Sequence, residues 1–307
     1  MSSTTPQFSK GSDTGGRFVR QESRFREQVT KRPEPGRYHL YVSLACPWAS
    51  RTVIVRQIKG LEDVLPMTVV DPLRDERGWR FTAEEPDPVN GYAFLAEAYL
   101  ATDPAYGDRV TVPVLYDTVQ RRIVNNESAD IVRMLNAWSD QGPDLYAEDL
   151  RTAIDEVNER VYHSVNNGVY RAGFATTQAA YEEAFDELFA TLGWLDDRLA
   201  TRRYLLGDQI TEADWRLFVT LVRFDSVYVG HFKCNLRRIV DYAHLSGYLR
   251  DLYQRPGIAD TVDFDHIKRH YYMTHPQLNP TRIVPKGPEL DLWAPHDRES
   301  VEQGSTL

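Results

Sequence analysis

Cys46 is followed at once by Pro47, then by Trp48 and Ala49, and this run of four is where the chain can do chemistry. Before it, Leu40 and Val42 alternate with His39 and Tyr41 at the strand period of two; after it, Val53, Ile54 and Ile58 recur every three to four residues, as in a helix. The thiol therefore stands where a strand hands over to a helix. Pro47 suits the first helical position, since its missing N–H would have had no partner there and its fixed φ already matches the helix. Unpaired backbone N–H groups and the positive end of the helix dipole both favour a thiolate, and cysteines so placed fall from a pKa of about 8.5 to roughly 3.5–7.5. Such a sulfur is a nucleophile at neutral pH. The plainer alternative is a small buried apolar residue at the start of a core helix, which the placement of the sulfur at a sheet edge opposes. A redox pair needs a second cysteine three residues on, and Ala49 fills that place. The site can attack sulfur but cannot resolve its own mixed disulfide, so an external thiol is required, for which glutathione is the obvious candidate.

The elements that must position this thiol follow from the rest of the chain. Residues 1–36, with Gly11, Gly15, Gly16, Pro33, Pro35 and Gly36 among charged residues, read as an extended arm anchored by Phe18 and Phe25. Residues 65–70 supply a second strand. The connection that follows, an insertion over 72–108, carries Trp79 and a helical patch at 92–100; a connection of that length inside a compact domain is usually functional. Trp79 either packs the loop onto the body or faces a ligand. Residues 110–116 read as a strand with Pro113 near its start. A cis Val112-Pro113 bond would expose the Val112 backbone for antiparallel pairing with a peptide-like ligand; a proline opening an edge strand is the alternative. Residues 121–124 form its hairpin partner. Asn125, Asn126, Glu127 and Ser128 precede Ile131, Leu135 and Trp138 at helical spacing, which makes a second helix N-terminus. Its N–H groups can bind a carboxylate while Glu127 holds an ammonium, although an Asn126 cap with Glu in the first turn is ordinary helix-start chemistry.

The resulting order of strand, helix, strand, insertion, strand, strand, helix is that of an α/β thioredoxin-like domain, placed at 37–140. Gln141, Gly142 and Pro143 mark a linker. Beyond it Leu150, Ile154, Val157 and Val161, and again Ala184, Leu188, Leu192 and Leu195, keep the helical period, so residues 147–272 form an all-α C-terminal domain. Asn166, Asn167 and Gly168 read as a helix stop. Thr211-Glu212-Ala213-Asp214 reads as a capping box with Asp in place of Glu, with Ile210 as a staple to Trp215. Five prolines after Tyr272 make residues 273–307 an irregular tail.

Composition narrows the function. The 307 residues carry 36 basic and 45 acidic side chains, a net charge of -9. No basic stripe offers itself to nucleic acid or to an anionic membrane surface, and no run of about 18 apolar residues or apolar leader is present. Two cysteines make no disulfide framework, and a reduced reactive thiol fits the cytoplasm. Asp265, His266, His270 and His275 lie close in sequence, but no Glu stands in the HExxH position, so no metal site is predicted. Cys234 reads as structural.

The stretches YHLYVSLACPWA, Gly78-Trp79, RVTVPVLYD, NESADIVRM, VNNGVYRAGFA, TEADWRL, LVRFDSVYVGHFKCN and FDHIKRHYY, spread over about 37–272, together resemble the cysteine-type glutathione transferases. Within them the match is to the Xi class, the glutathionyl-hydroquinone reductases. Ser50 departs from the histidine that some relatives carry and leaves the thiol unchanged. The resemblance implies a glutathione-transferase fold with Cys46 as nucleophile and with Trp79, Arg109, Val110, Thr111, Val112, Glu127 and Ser128 holding glutathione. It also implies three tyrosines, Tyr170, Tyr228 and Tyr271, reaching the thiol from the helical domain. Phenol O–H donors lower the pKa of a sulfur anion, and Tyr170 is the one implied to pass a proton. Glutathione is then a co-substrate, with no tightly bound cofactor, and glutathionyl-hydroquinones are the other substrate of a cytoplasmic homodimer. Two other readings stay open: an Omega-like thioltransferase or dehydroascorbate reductase sharing Cys46, and a glutathione-conjugate binding protein whose thiol is incidental.

Overall fold

The computed structural model describes residues 12–303, so the ends of the arm and tail, residues 1–11 and 304–307, lie outside the described residues. The chain divides into two compact units. Unit 1 takes in Arg20–Gly142 and Thr261–Val284; unit 2 takes in Pro143–Asp260 with the described parts of Gly11–Val19 and Pro285–Leu307.

Unit 1 is built on a four-stranded sheet of order β2-β1-β3-β4, with β1 Tyr38–Val42, β2 Met67–Val69, β3 Val114–Asp117 and β4 Arg122–Asn125. The inner strand β1 runs parallel to β2 (Leu40 opposite Met67) and antiparallel to β3 (Leu40 opposite Leu115). Flanked on both sides, β1 has Leu40, Tyr41 and Val42 fully buried. Helix α1, Pro47–Ile58, leaves the end of β1 and packs beside α3, Ser128–Ala137. Strand β3 begins only at Val114, not at residue 110 as the apolar run suggests, because Pro113 has no N–H for the ladder. The Val112-Pro113 bond is cis. Residues 110–112, predicted as part of that strand, therefore run outside the sheet.

The insertion is tied down by polar contacts. Asp87 accepts the Tyr41 hydroxyl at 2.7 Å and the backbone N–H groups of Val89, Asn90 and Tyr92, each at 3.1 Å. Its helix, α2 at Leu95–Thr102, starts later than the patch at 92–100, since Glu97 turns back to accept the N–H groups of Ala93 and Phe94 at 2.9 Å.

Unit 2 holds α4 Arg151–Val161, α5 Gly168–Gly173, α6 Gln178–Leu199, α7 Glu212–Arg223, α8 Leu245–Tyr253 and α10 Glu299–Gln303. The periodic residues Ile154, Val157, Val161, Ala184, Leu188, Leu192 and Leu195 are buried. The expected stop at Asn166 is instead a π-helical turn, Tyr162–Asn166, that leads on into α5. The Asn167 N–H reaches back to the Tyr162 carbonyl at 2.8 Å, while Asn166 Nδ2 donates to the Arg216 carbonyl and Thr220 Oγ1 on α7 at 2.8 and 2.7 Å. That long-range anchorage widens the helix rather than ending it. A second π-helical turn, Phe224–Tyr228, continues α7.

Helix α9, Phe264–Thr274, corrects the boundary drawn at 272: it belongs to unit 1, not to the helical unit. His270 on α9 is buried, stacks on Trp79 and donates from Nδ1 to the Pro72 carbonyl at 2.7 Å. The tail after Val284 returns to unit 2. Gln254 Nε2 donates to the Leu292 and Ala294 carbonyls at 2.8 Å, and the buried Arg298 guanidinium donates to the carbonyls of Leu199 at 2.8 Å, Arg203 at 3.1 Å and Arg202, closing the C-terminal end of α6.

Candidate active site

Cys46 is the N-cap of α1, in extended backbone (φ -81°, ψ 119°), with Pro47 at the first helical position. Its side chain makes no capping bond, and the sulfur stands at the positive end of the α1 dipole. Cys46 is part-exposed as a residue, and its thiol donates to the Val112 carbonyl at 3.6 Å. Sequence spacing alone anticipated that β1 would deliver the thiol to a helix end; the meeting with Val112 came from the fold.

Two arginines stack on Trp48, Arg51 at 4.5 Å and Arg20 at 4.6 Å from the ring centre. Arg51, 1% exposed, also reaches Ser128 Oγ at 3.5 Å and so links α1 to the first turn of α3. The N-cap of α3 is Glu127 rather than Asn126. Glu127 Oε1 accepts the Ala129 N–H at 3.2 Å and Oε2 accepts Ser23 Oγ at 2.9 Å, whereas Asn126 is drawn away to Phe25 N–H (3.0 Å) and to the Tyr99 hydroxyl (3.2 Å).

Residues 109–112 are held as an ordered bend. Tyr99 donates to the Thr111 carbonyl at 2.8 Å, Tyr106 donates to the Arg109 carbonyl at 2.7 Å, and Gln21 of the arm pairs with the Arg109 backbone at both its amide nitrogen (3.2 Å) and its oxygen (2.9 Å). Val110 and Val112 are buried, Thr111 and Arg109 half-buried. Burial, with Arg20 nearby, pushes the Arg109 guanidinium below its usual pKa. The arm's contribution through Gln21 and Ser23 was missed in the sequence, where neither residue belongs to any periodic pattern.

Trp79, 3% exposed, stacks on His270 at 5.0 Å with 20° between the rings, and the guanidinium of Arg74 lies 4.8 Å from its ring centre. The loop bearing both is closed by Asp71, which accepts Arg80 Nε at 2.8 Å and Nη2 at 2.5 Å. Burial and the neighbouring Arg109 push the Arg74 pKa down to about 10, while the sulfur of Cys46 pulls it up.

The tyrosines do not share one origin. Tyr271 is buried on α9 and so belongs to unit 1, which corrects the expectation that all three come from the helical domain. In unit 2, Tyr170 and Tyr228 have ring centres 6.2 Å apart, and each lies 5.4 Å from Phe232. Phe174 and Phe18 complete that cluster. Cys234 is fully buried, its sulfur 3.8 Å from the Phe232 carbonyl, and burial pushes its thiol well up. Among the described residues no group of three or more His, Cys, Asp or Glu side chains is arranged to hold a metal, and no helix is long and apolar enough to cross a membrane.

A part-exposed cysteine at one helix N-terminus, a second helix N-terminus tied to that helix through Arg51, and an ordered bend between them form a site suited to a small anionic peptide and to thiol exchange. Comparison with known proteins places the chain in a family. The glutathione S-transferase N-terminal domain family matches residues 45–138, and the glutathione S-transferase C-terminal domain family matches residues 178–251. The glutathionyl-hydroquinone reductase PcpF of Sphingobium chlorophenolicum is 52% identical over 288 residues, covering 91% of this chain and 92% of that protein. Among solved structures, the glutathione-bound YqjG of Escherichia coli K-12 superposes with a TM-score of 0.85 at 53% identity, over 87% of this chain and 89% of that one. A Xi class glutathione transferase from Natrialba magadii superposes with a TM-score of 0.87 at 51% identity, over 90% and 89% of the two chains. With Cys46 at the head of α1 and identity above one half along nearly its whole length, the chain belongs to the glutathione transferase family, in its Xi class.

Proposed function

We propose that this protein reduces glutathionyl-hydroquinones to hydroquinones at the expense of glutathione, and so clears quinone conjugates. The observation that carries the reading is a part-exposed cysteine at the N-terminus of α1 with Ala49 in the place of a resolving partner, while the other cysteine is sealed within unit 2. The Cys46 thiolate attacks the sulfur of the glutathionyl-hydroquinone. A sulfur–sulfur bond forms, the carbon–sulfur bond breaks, and its electron pair stays on the ring carbon, which takes a proton to give the hydroquinone. The protein is left as a mixed disulfide. A second glutathione thiolate attacks the glutathione sulfur of that disulfide, and oxidised glutathione departs with Cys46 restored. The sum consumes one conjugate and one glutathione.

The tripeptide is assigned to unit 1. Its glutamyl carboxylate suits the N-terminus of α3 at Ser128, and its ammonium suits the Glu127 carboxylate. Its central peptide suits the Val112 backbone, with Val110, Thr111 and Arg109 completing the bend and Trp79 the wall. Tyr170 is assigned the proton, with Tyr228 and Tyr271 as phenol donors that favour the thiolate. The family reading further makes the protein a cytoplasmic homodimer, in a compartment that keeps Cys46 reduced.

The test is turnover of a glutathionyl-hydroquinone beside that of hydroxyethyl disulfide. The reductase prefers the first; an Omega-like thioltransferase prefers the second; a conjugate-binding protein turns over neither. Cys46→Ala is expected to abolish the reductase while keeping glutathione affinity within a few fold, and undiminished turnover in that variant would reject Cys46 as the nucleophile.

A further inference from the structure

We propose that the arm is a built part of the glutathione site, with Ser23 the positioning residue that fixes the Glu127 carboxylate for the ligand's ammonium. The inference rests on Glu127 being the group that takes that ammonium. Its basis is how the arm is fastened to the sheet. Strand β4 is an edge of the four-stranded sheet, and the arm runs antiparallel along it, with Arg26 opposite Asn125. The Asn126 N–H donates to the Phe25 carbonyl at 3.0 Å and the Glu27 N–H to the Val124 carbonyl at 3.1 Å, as an added strand would pair. Side chains hold the same stretch. Asn125 Nδ2 donates to the Glu27 carbonyl at 3.1 Å, Arg122 pairs with both Glu27 oxygens at 2.6 and 2.7 Å, and Arg26 Nη2 reaches Asp130 of α3 at 2.8 Å. The Phe25 ring lies 5.8 Å from those of Tyr99 and Tyr106.

That anchorage carries the preceding residues to the site. Gln21 accepts the Arg109 N–H at 2.9 Å and donates to the Arg109 carbonyl at 3.2 Å, so the arm grips the bend at 109–112. Ser23 Oγ donates to Glu127 Oε2 at 2.9 Å, with the neutral Asn126 carbonyl at 3.2 Å as its alternative acceptor. The shorter bond, to a carboxylate, is the stronger. Glu127 Oε1 accepts the Ala129 N–H at 3.2 Å, and the Glu127 N–H donates to Asn125 Oδ1 at 2.7 Å. Backbone and both carboxylate oxygens are thus held. A carboxylate offers about four acceptor positions, so one donor on each oxygen leaves a second position on each for an ammonium. A glutamate held this way has given up its torsional freedom before the ligand arrives, which raises affinity. Ser23 acts through Glu127, so its effect is confined to ligands that carry the ammonium.

The experiment is anaerobic titration calorimetry of the full chain with glutathione and with glutaryl-cysteinylglycine, the same tripeptide with hydrogen in place of the α-ammonium. It uses no quinone, so its result is separate from whether the protein is a hydroquinone reductase. Ser23→Ala is expected to raise the Kd for glutathione about three- to tenfold, the loss of one hydrogen bond to a charged group. The Kd for the deaminated ligand should stay within about twofold, as should both values in Ser23→Thr, which keeps the hydroxyl. In a Glu127→Gln background, itself weakened for glutathione, Ser23→Ala should add less than about twofold. A Ser23→Ala loss equal for the two ligands overturns the proposal, since that marks a general packing role. So does an equal loss in Ser23→Thr, or full additivity with Glu127→Gln. Glutathione affinity unchanged in Ser23→Ala alone overturns the proposal and leaves Glu127 in the site; affinity unchanged in Glu127→Gln removes Glu127 from the site and the proposal with it.

Discussion

Gly173, near the end of α5, is glycine because Phe232 occupies the place a side chain would take: a Cβ there would meet Phe232 Cδ1 and Cγ at 2.3 Å. The same ring stacks on Tyr228 at 5.4 Å and meets Tyr170 edge-on at 5.4 Å, so moving it moves both tyrosines proposed for the chemistry. Gly173→Ala is therefore expected to destabilise unit 2 by about 1–3 kcal/mol, the usual penalty of overpacking. It should also lower turnover of a glutathionyl-hydroquinone while glutathione affinity, assigned to unit 1, stays unchanged. Thermal unfolding and steady-state kinetics on the one variant check both parts. Loss of glutathione binding with turnover retained would contradict the division of labour between the residues. Cys46 teaches the opposite lesson at the same scale, since its surroundings leave the residue part-exposed where Cys234 is closed in.

The helices differ in how their first turns are finished. Helix α1 begins without a side-chain capping bond, whereas α3 is capped by Glu127 and α6 by Thr177. Helix α7 has the most elaborate start. Asp214, fully buried, accepts the Thr211 N–H at 2.8 Å, the Thr211 hydroxyl at 3.1 Å, the Leu205 N–H at 2.9 Å and the Tyr248 hydroxyl at 2.8 Å. The capping box legible in Thr211-Glu212-Ala213-Asp214 is thus also a junction between α7, α8 and the preceding loop. Asp214→Ala strands several buried donors at once and should lower stability by about 3 kcal/mol or more, against about 1 kcal/mol for Thr211→Ala, which loses only the hydroxyl. Urea unfolding of the two variants separates a local cap from a junction; equal losses would reduce Asp214 to a cap.

The chain crosses between the units repeatedly, from residues 12–19 of unit 2 into unit 1, on to unit 2, back through α9 and again to unit 2 in its tail, and each unit holds a buried histidine whose pKa burial lowers. In unit 1, His39 shares a 2.8 Å hydrogen bond with Thr68 Oγ1, and burial lowers its pKa to about 4 against the pull of Asp87. In unit 2, burial lowers that of His231 to about 4 as well, with Lys233 adding to the effect. Both folded values lie below the unfolded value of about 6.5, so the unfolded chain binds more protons between pH 6.5 and 4. Stability is therefore full above pH 6.5 and falls as the pH drops towards 4. Each site should forfeit roughly 2 kcal/mol between pH 7 and pH 5. Denaturant midpoints at the two pH values check this, and His39→Gln should flatten about half of the slope. A midpoint that holds steady over that range would mean the two rings are not neutral and buried as described.

What the sequence alone determined was local. The switch from period two to period 3.6 at Cys46, the proline that opens α1, the start of α7 and the buried stripes of α4 and α6 all lie within a few residues of the pattern that announces them. Helical pitch, strand alternation and capping act over that distance, and so they leave a trace there. The tertiary structure decided what joins distant residues. His270 reaches a carbonyl 198 residues away, which moves α9 into unit 1; Gln21 and Ser23 fix Arg109 and Glu127; Arg51 bridges α1 and the start of α3. It also turned residues 110–112 of the predicted strand out of the sheet and the predicted stop at Asn166 into a π-helical turn. Such contacts depend on which side chains meet after the backbone has been placed, and no periodic pattern along the chain records that meeting.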